Sequence, residues 1–471
     1  MAPPSSLSVE LSNWACTFSD PLPGIAIERG RAAFIDTVAC MLAGARDAAA
    51  QCTMAAINGA TSGDCSVVGS EDTFSAPWAA LANGVAAHAL DFDDNFFPAI
   101  SHASAVLVPA LFALGEEVGA TLSEVLRAYV VGLEIQATLG EIANPVHYEL
   151  GWHATSTLGT IGAAVACANL LRLDPERTAN ALSIGVSLAG GSKRQFGSMT
   201  KPVHAGFAAM NAVLAARLAA AALSAQSDPL EGKWGFFDLY AGKTDWRNGG
   251  WPPPGPRALA IEKYGLVAKL YPSCMSSHLG IDGLLALQKQ RPFRADEVGR
   301  ILIAMPPFML ENLRFSRPRN ELEARFSMQY CGAVAIVHGC PKLTHFVDAA
   351  LADDAVMALL DRVEVVPRVS APSSQALPWG GDCSVDIFFK SGEHLNAVVC
   401  FPKGCLENPI SSVELGAKFV DCASSSLSRD RARALFNHLQ VLDLAFPVGE
   451  MARHLRKSAK PQKWKFYHDT G

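Results

Sequence analysis

Up to about residue 265 the chain is built from segments in which alanine and aliphatic residues recur every three or four positions. Several are apolar on almost every face. The run Ala163-Ala164-Val165-Ala166-Cys167-Ala168-Asn169-Leu170-Leu171 is the extreme case. A helix without a polar face cannot lie on a surface and has to be enclosed by other helices. Segments 29–43, 77–90, 104–118, 121–139, 158–171, 178–188 and 206–225 all read this way, so this half of the chain predicts a helical bundle. Their starts carry ordinary stop–start chemistry: Leu173-Asp174-Pro175-Glu176 offers an Asp cap with Pro in the first turn. The longest apolar stretch, 208–223, is interrupted by Asn211 and Arg217 and is too short to span a bilayer cleanly.

With 471 residues, half of them hydrophobic, the chain is expected to divide into two domains. The pattern changes past Trp251-Pro252-Pro253-Pro254-Gly255-Pro256. Alternating and β-branched runs at 298–305, 362–367, 383–389 and 394–400 predict strands. The last two are joined by Lys390-Ser391-Gly392-Glu393, a plausible hairpin turn. Helical patterns at 323–338 and 353–361 lie between the strands, and helices return at 411–422, 428–442 and 449–456. The expected fold is mainly α, a large all-helical domain (1–267 with 404–471) plus a smaller α+β lid domain (268–403).

Against this background stand four short polar islands. One runs from Asp91-Phe92-Asp93-Asp94 to Ser101-His102, and the next is Gly151-Trp152-His153-Ala154-Thr155-Ser156-Thr157. The others are Gly197-Ser198-Met199-Thr200-Lys201-Pro202-Val203-His204 and Tyr271-Pro272-Ser273-Cys274-Met275-Ser276-Ser277-His278. Burying such groups is costly unless they are paired. Four histidine-bearing islands, one with a lysine, therefore point to one shared acid/base site. The three aspartates at 91–94 could bind a divalent metal, cap a helix end or position a catalytic group. His102 and His153 are each expected at a helix start, where free N–H groups suit an anion. Thr155 adds a hydroxyl there. Lys201 is expected in a loop just before a helix, in apolar company, with Arg194 as a second clamp for a substrate carboxylate. His204 is read either as a substrate contact or as a brace. His278, Lys269 and Tyr271 sit at the proposed domain boundary, where they could close over a cleft. Tyr330 could donate a proton from the second domain, although a tyrosine on an apolar helix is more often core.

Other functions are excluded by what the residues lack. There is no glycine-rich dinucleotide fingerprint, P-loop, Gly-x-Ser-x-Gly elbow or His-Glu-x-x-His helix. The 12 cysteines are scattered without a CxxC pair, so a zinc site or disulfide framework is not expected. Net charge is −6, and the mildly basic end (Arg453, Arg456, Lys457, Lys460, Lys463, Lys465) reads as solvated rather than as a nucleic-acid arm. The start Met1-Ala2-Pro3-Pro4-Ser5-Ser6 has no signal-peptide pattern, and the expected setting is cytoplasmic, with no membrane partner.

The islands, taken in order, resemble the MmgE/PrpD family. The resemblance is carried by His88-Ala89-Leu90-Asp91-Phe92-Asp93-Asp94, the Gly151-Trp152-His153 island, Gly197 through His204, Tyr271-Pro272-Ser273-Cys274 with His278, and Arg325-Phe326-Ser327-Met328-Gln329-Tyr330. It implies a helical domain holding both termini, a smaller lid, and a homodimer. It also implies an enzyme that works on a small polycarboxylate with neither metal nor organic cofactor. The catalytic set it implies is Asp91, His102, His153, Lys201, His278 and Tyr330. The implied reaction is that of a lyase, decarboxylating or dehydrating a compound such as cis-aconitate or 2-methylcitrate. Epimerisation of an iminodisuccinate-like dicarboxylate is the alternative, and a non-catalytic binding homologue the third reading.

Overall fold

The computed structural model describes residues 6–19, 21–60, 62–242, 258–369 and 381–456. The Pro-rich 251–256 segment and the basic residues from Lys457 onward lie outside the described residues. Helix dominates, with little strand, giving a mainly α molecule with a small α+β part.

The first core is helical. Gly24–Gly44, Ala76–His88, Ser104–Val118, Leu122–Ala143, Ala154–Leu170 and Thr200–Ala220 form its centre. The Ala154–Leu170 helix is buried along its whole length, as its all-apolar pattern requires. It packs against Leu122–Ala143 on one side and Thr200–Ala220 on the other. Thr200–Ala220 is apolar and long enough to cross a membrane by length and composition; here it sits between Ala76–His88 and Ala154–Leu170. It begins at Thr200, which places Lys201 in its first turn rather than in a loop just before it. The Leu122–Ala143 helix opens with a capping box of Thr121 and Glu124. The C-terminal helices Ser412–Ala423, Arg429–Val441 and Val448–Leu455 pack into this same core.

A short antiparallel pair, β1 (Cys65–Ser66) with β2 (Thr73–Phe74), interrupts the bundle and is not apparent from the sequence pattern. The second core surrounds a four-stranded sheet of order β4-β3-β5-β6. Its strands are β3 (Val298–Met305), β4 (Val363–Pro367), β5 (Cys383–Phe389) and β6 (His394–Val399). The β3–β4 pair is parallel and the other two pairs are antiparallel, with β5 and β6 joined by the expected hairpin. The helices His278–Gln290 and Met328–His338 pack with this sheet and with each other. Helix 323–338 of the sequence reading is two pieces, Glu321–Ala324 and Met328–His338, because Ser327 accepts the Tyr330 N–H and caps a new start.

The bundle centre depends on backbone approach at two glycines. A Cβ on Gly206 would lie 2.6 Å from the Leu81 carbonyl oxygen, and one on Gly84 would lie 2.8 Å from the Gly206 Cα. Alanine is the better helix former by about 1 kcal/mol. Overpacking typically costs about 1–3 kcal/mol, and here the obstacle is backbone. Gly206→Ala is therefore expected to lower the melting temperature by several degrees. An unchanged or raised melting temperature would contradict this packing.

Candidate active site

The centre of the site is Asp91, buried at the end of the Ala76–His88 helix. Its φ of 51° lies in the left-handed region, unusual for an aspartate. Neighbouring charges hold it there. The Lys201 ammonium donates to one carboxylate oxygen at 2.5 Å. The Lys269 ammonium donates to the other oxygen and, at 2.9 Å, to the Asp91 backbone carbonyl. Burial alone would raise this carboxyl; Lys201 and then Lys269 instead hold it well below the ordinary carboxylate range. A third buried ammonium braces the same loop. Lys418, on the Ser412–Ala423 helix, donates to the Phe92 carbonyl at 2.7 Å and pairs with Asp36 at 2.7 Å.

The neighbouring aspartates have different partners. Asp93 lies 2.9 Å from Nδ1 of His88 and 3.0 Å from Nδ1 of His102. Burial would raise its carboxyl too, but the two imidazoles hold it well down. These three side chains are the one group of histidine, cysteine or carboxylate donors, among the described residues, close enough to hold a metal ion. The His88 separation is that of a hydrogen bond to the carboxylate, and the His102 ring stands beside the same carboxylate at contact distance. Asp94 accepts from the Ser104 hydroxyl at 2.5 Å, and Tyr129 lies 2.6 Å from that hydroxyl. Burial, opposed by the Ser104 bond, raises Asp94 to about 7.

His153 occupies the N-cap position of Ala154–Leu170 but makes no side-chain cap bond. Gly151, with φ of 96°, makes the turn before it, and the His153 N–H donates to the Gly191 carbonyl at 3.0 Å. Its Nδ1 lies 3.0 Å from Nδ1 of His204, one turn into the Thr200–Ala220 helix. Its Nε2 is buried without a partner. Burial, then His88 and Lys201, keep this imidazole well below the usual histidine range. Burial likewise brings His102 to about 3 and His204 to about 4. Thr155 accepts the His102 backbone N–H at 3.0 Å and keeps its own O–H to give.

A small cleft of about 60 Å³, partly open to solvent, lies between the two cores. His102, His153, Thr155, Lys201 and Asn95 line one side, and Ser276, Leu279, Phe308, Asn312 and Phe326 the other. The Lys201 ammonium lies 5.3 Å from the Phe196 ring and 5.1 Å from the Phe326 ring, so its surroundings are aromatic.

The remaining residues singled out from the sequence do not line this cleft. Lys269 is fully buried behind Asp91 and binds that residue rather than a ligand. Arg194 is exposed on a short 3-10 turn, where its backbone N–H donates to the Ser192 hydroxyl. His278 is buried with its ring 4.9 Å from that of Tyr271 and its Nε2 3.4 Å from the Ser273 carbonyl. Tyr330 faces the second core and donates to the His345 carbonyl at 2.5 Å, so it takes the core role open to a tyrosine on an apolar helix. His204 reaches His153, not the cleft. The sequence reading gave no site role to His88, although it opens the aspartate motif, and none to Tyr148 or Asn312. Tyr148 donates to Asn312 at 3.2 Å, and Asn312 donates to Ser276 at 3.1 Å along the cleft wall. No motif spacing connects those three residues, which come together only through the fold.

With this geometry in hand, comparison with known proteins is specific. Residues 9–248 match the MmgE/PrpD N-terminal domain and residues 271–444 the MmgE/PrpD C-terminal domain. The chain belongs to the MmgE/PrpD family. It is 29% identical to human cis-aconitate decarboxylase over 78% of this chain and 76% of that protein. It is 28% identical to a cis-aconitate decarboxylase-like protein of Aspergillus oryzae, over 95% of this chain and 97% of the relative. Cis-aconitate decarboxylase of Aspergillus terreus is 27% identical over 93% and 94% of the two chains.

Two outcomes follow from these contacts. Asp91→Ala leaves two buried ammoniums without their carboxylate, whereas Lys201→Met leaves Asp91 still paired with Lys269. Removing one side of a buried pair costs about 3–5 kcal/mol. Asp91→Ala is expected to melt well below Lys201→Met, and the reverse order would contradict the pairing. The second concerns acid. An exposed histidine titrates near 6.5, while His102 and His204 are held at about 3 and about 4. Their neutral forms thus contribute stability that is present above 6.5 and lost as pH falls toward the folded values, because the unfolded chain takes up their protons first. The ring C–H resonances of both residues, followed by NMR from pH 8 to 5, should stay at neutral-form shifts. A midpoint near 6.5 for either would contradict this burial.

Proposed function

We propose that this chain is a cofactor-independent lyase that decarboxylates a small polycarboxylate of the cis-aconitate type. The observation that carries the reading is the His153 Nε2, buried and unpartnered, in a cleft it shares with the ion-paired Lys201. The names of the relatives point the same way.

In an unsaturated tricarboxylate the chemistry needs little else. The carbon–carbon bond to one carboxylate breaks and releases carbon dioxide. Its electron pair forms a new double bond, and the former double bond moves onto the carbon beside another carboxylate. That carbon takes one proton. Lys201 would stabilise charge accumulating on the neighbouring carboxylate, and the Thr155 hydroxyl would hold another, in a site with aromatic walls. His153 would give the proton. The apolar face formed by Leu279, Phe308 and Phe326 suits the uncharged carbon dioxide better than the carboxylate it came from.

The test is turnover of cis-aconitate, 2-methylcitrate and iminodisuccinate in heavy water, read by NMR. Release of carbon dioxide from cis-aconitate with one deuterium in the product is expected. Loss of water, or deuterium exchange without net loss, would replace decarboxylation by dehydration or epimerisation. His153→Ala should lower kcat by about 10²-fold or more. Lys201→Met, which removes a charge-assisted contact, should lower kcat/KM by about 10- to 150-fold, the equivalent of about 1.5–3 kcal/mol. Near-normal turnover in either folded variant would remove that residue from the mechanism. Exhaustive chelation should leave activity unchanged. Loss on chelation with recovery on adding a divalent ion would turn His88, Asp93 and His102 into a metal site.

A further inference from the structure

We infer that His204 is the proton-relay partner of His153, so that the two imidazoles work as one acid. The inference rests on the proposed decarboxylation, which consumes one proton per carbon dioxide released.

Burial keeps both rings neutral, so each carries a single proton. Two nitrogens 3.0 Å apart need a proton between them, and the Nδ1···Nδ1 contact therefore holds one of the two. The other proton must lie on the Nε2 of whichever ring accepts. Two arrangements result. In one, His204 donates and His153 presents Nε2–H to the cleft. In the other, His153 donates and its Nε2 is a bare base. The tautomers are locked to each other.

This coupling answers a chemical difficulty. A neutral imidazole that simply lost its Nε2 proton would become an imidazolate, a prohibitive state in an apolar site. A relay avoids it. As the Nε2–H bond of His153 breaks toward the substrate carbon, the Nδ1 proton moves from His204 to His153. A water molecule then gives a proton to Nε2 of His204 and leaves as hydroxide, which balances the proton consumed in the decarboxylation. Both rings end neutral, and the carbon has gained one proton. When product leaves and water fills the cleft, the same shifts in reverse restore the acid form. The placement fits, because His153 is 2% exposed and lines the cleft, while His204 is 9% exposed and lies outside the cleft lining. Gly191 leaves the room: a Cβ there would lie 3.4 Å from the His204 Nδ1 and 2.9 Å from Ser156.

The test uses the full chain with His204→Ala and His204→Asn. Asparagine can hydrogen-bond to the His153 Nδ1 but has no second site to pass a proton through. Both variants are expected to keep KM within about twofold of the wild type and to lose kcat by about 10²-fold. The wild-type rate in mixed light and heavy water should curve with deuterium fraction, two protons being in flight, and become linear in His204→Asn. Full recovery of kcat in His204→Asn would reduce His204 to a brace and overturn the relay. A second readout needs no turnover. Nitrogen-15 NMR of the histidines should give His153 and His204 opposite tautomers at neutral pH, and His204→Ala should shift the His153 signals. Identical tautomers for the two rings would overturn the inference even if cis-aconitate is decarboxylated. Opposite tautomers in a chain that releases no carbon dioxide would uphold the pair and reject the proposed reaction instead.

Discussion

Two buried ammoniums bind one carboxylate, and the rest of the site is arranged around that contact. Lys201 comes from the bundle, Lys269 from the segment that leads into the second core, and Asp91 from the loop between two bundle helices. Charges of this kind are tolerated only when paired. The requirement therefore ties three remote parts of the chain at one point. It also accounts for the left-handed backbone at Asp91, since Lys269 takes both the carboxylate and the carbonyl of that residue.

From this anchor the other positions follow. Lys418 fixes the Phe92 carbonyl from the C-terminal helices, so the loop is held from both directions. Asp93 then meets His88 and His102, and Asp94 meets Ser104, whose hydroxyl Tyr129 also reaches. Three carboxylates within four residues thus have three environments. One is held by lysines, one by imidazoles and one by a hydroxyl, and burial raises this last one to about 7 against the pull of that hydroxyl. Among the buried histidine nitrogens without a partner, the Nε2 of His153 belongs to a residue that lines the cleft beside Lys201.

Much of this could be read from residue order. All-apolar periodicity fixes the buried helices, and alternation fixes β3 and β5 with their observed ends. The polar islands converge because burial is affordable only in company. Lys201 was expected in a loop because Gly197 and Pro202 are usual helix breakers, yet a proline in the first turn loses no hydrogen bond and the helix starts at Thr200. Arg194 and Lys201 are both cations near one island, and spacing cannot tell that one points into the solvent. Tyr330 sits within a matching motif but its hydroxyl is satisfied by His345, a contact set by a turn far along the chain. Asn312 and Tyr148 carry no signal of their own, being polar residues that reach the cleft only because the two cores meet there.

The most direct measurement is a crystal structure with a saturated tricarboxylate that cannot lose carbon dioxide. The account predicts one ligand carboxylate on the Lys201 ammonium while Asp91 keeps Lys269, with a ligand carbon within reach of the His153 Nε2. A ligand bound elsewhere, or one that displaces Lys201 from Asp91 and leaves His153 facing solvent, would contradict it.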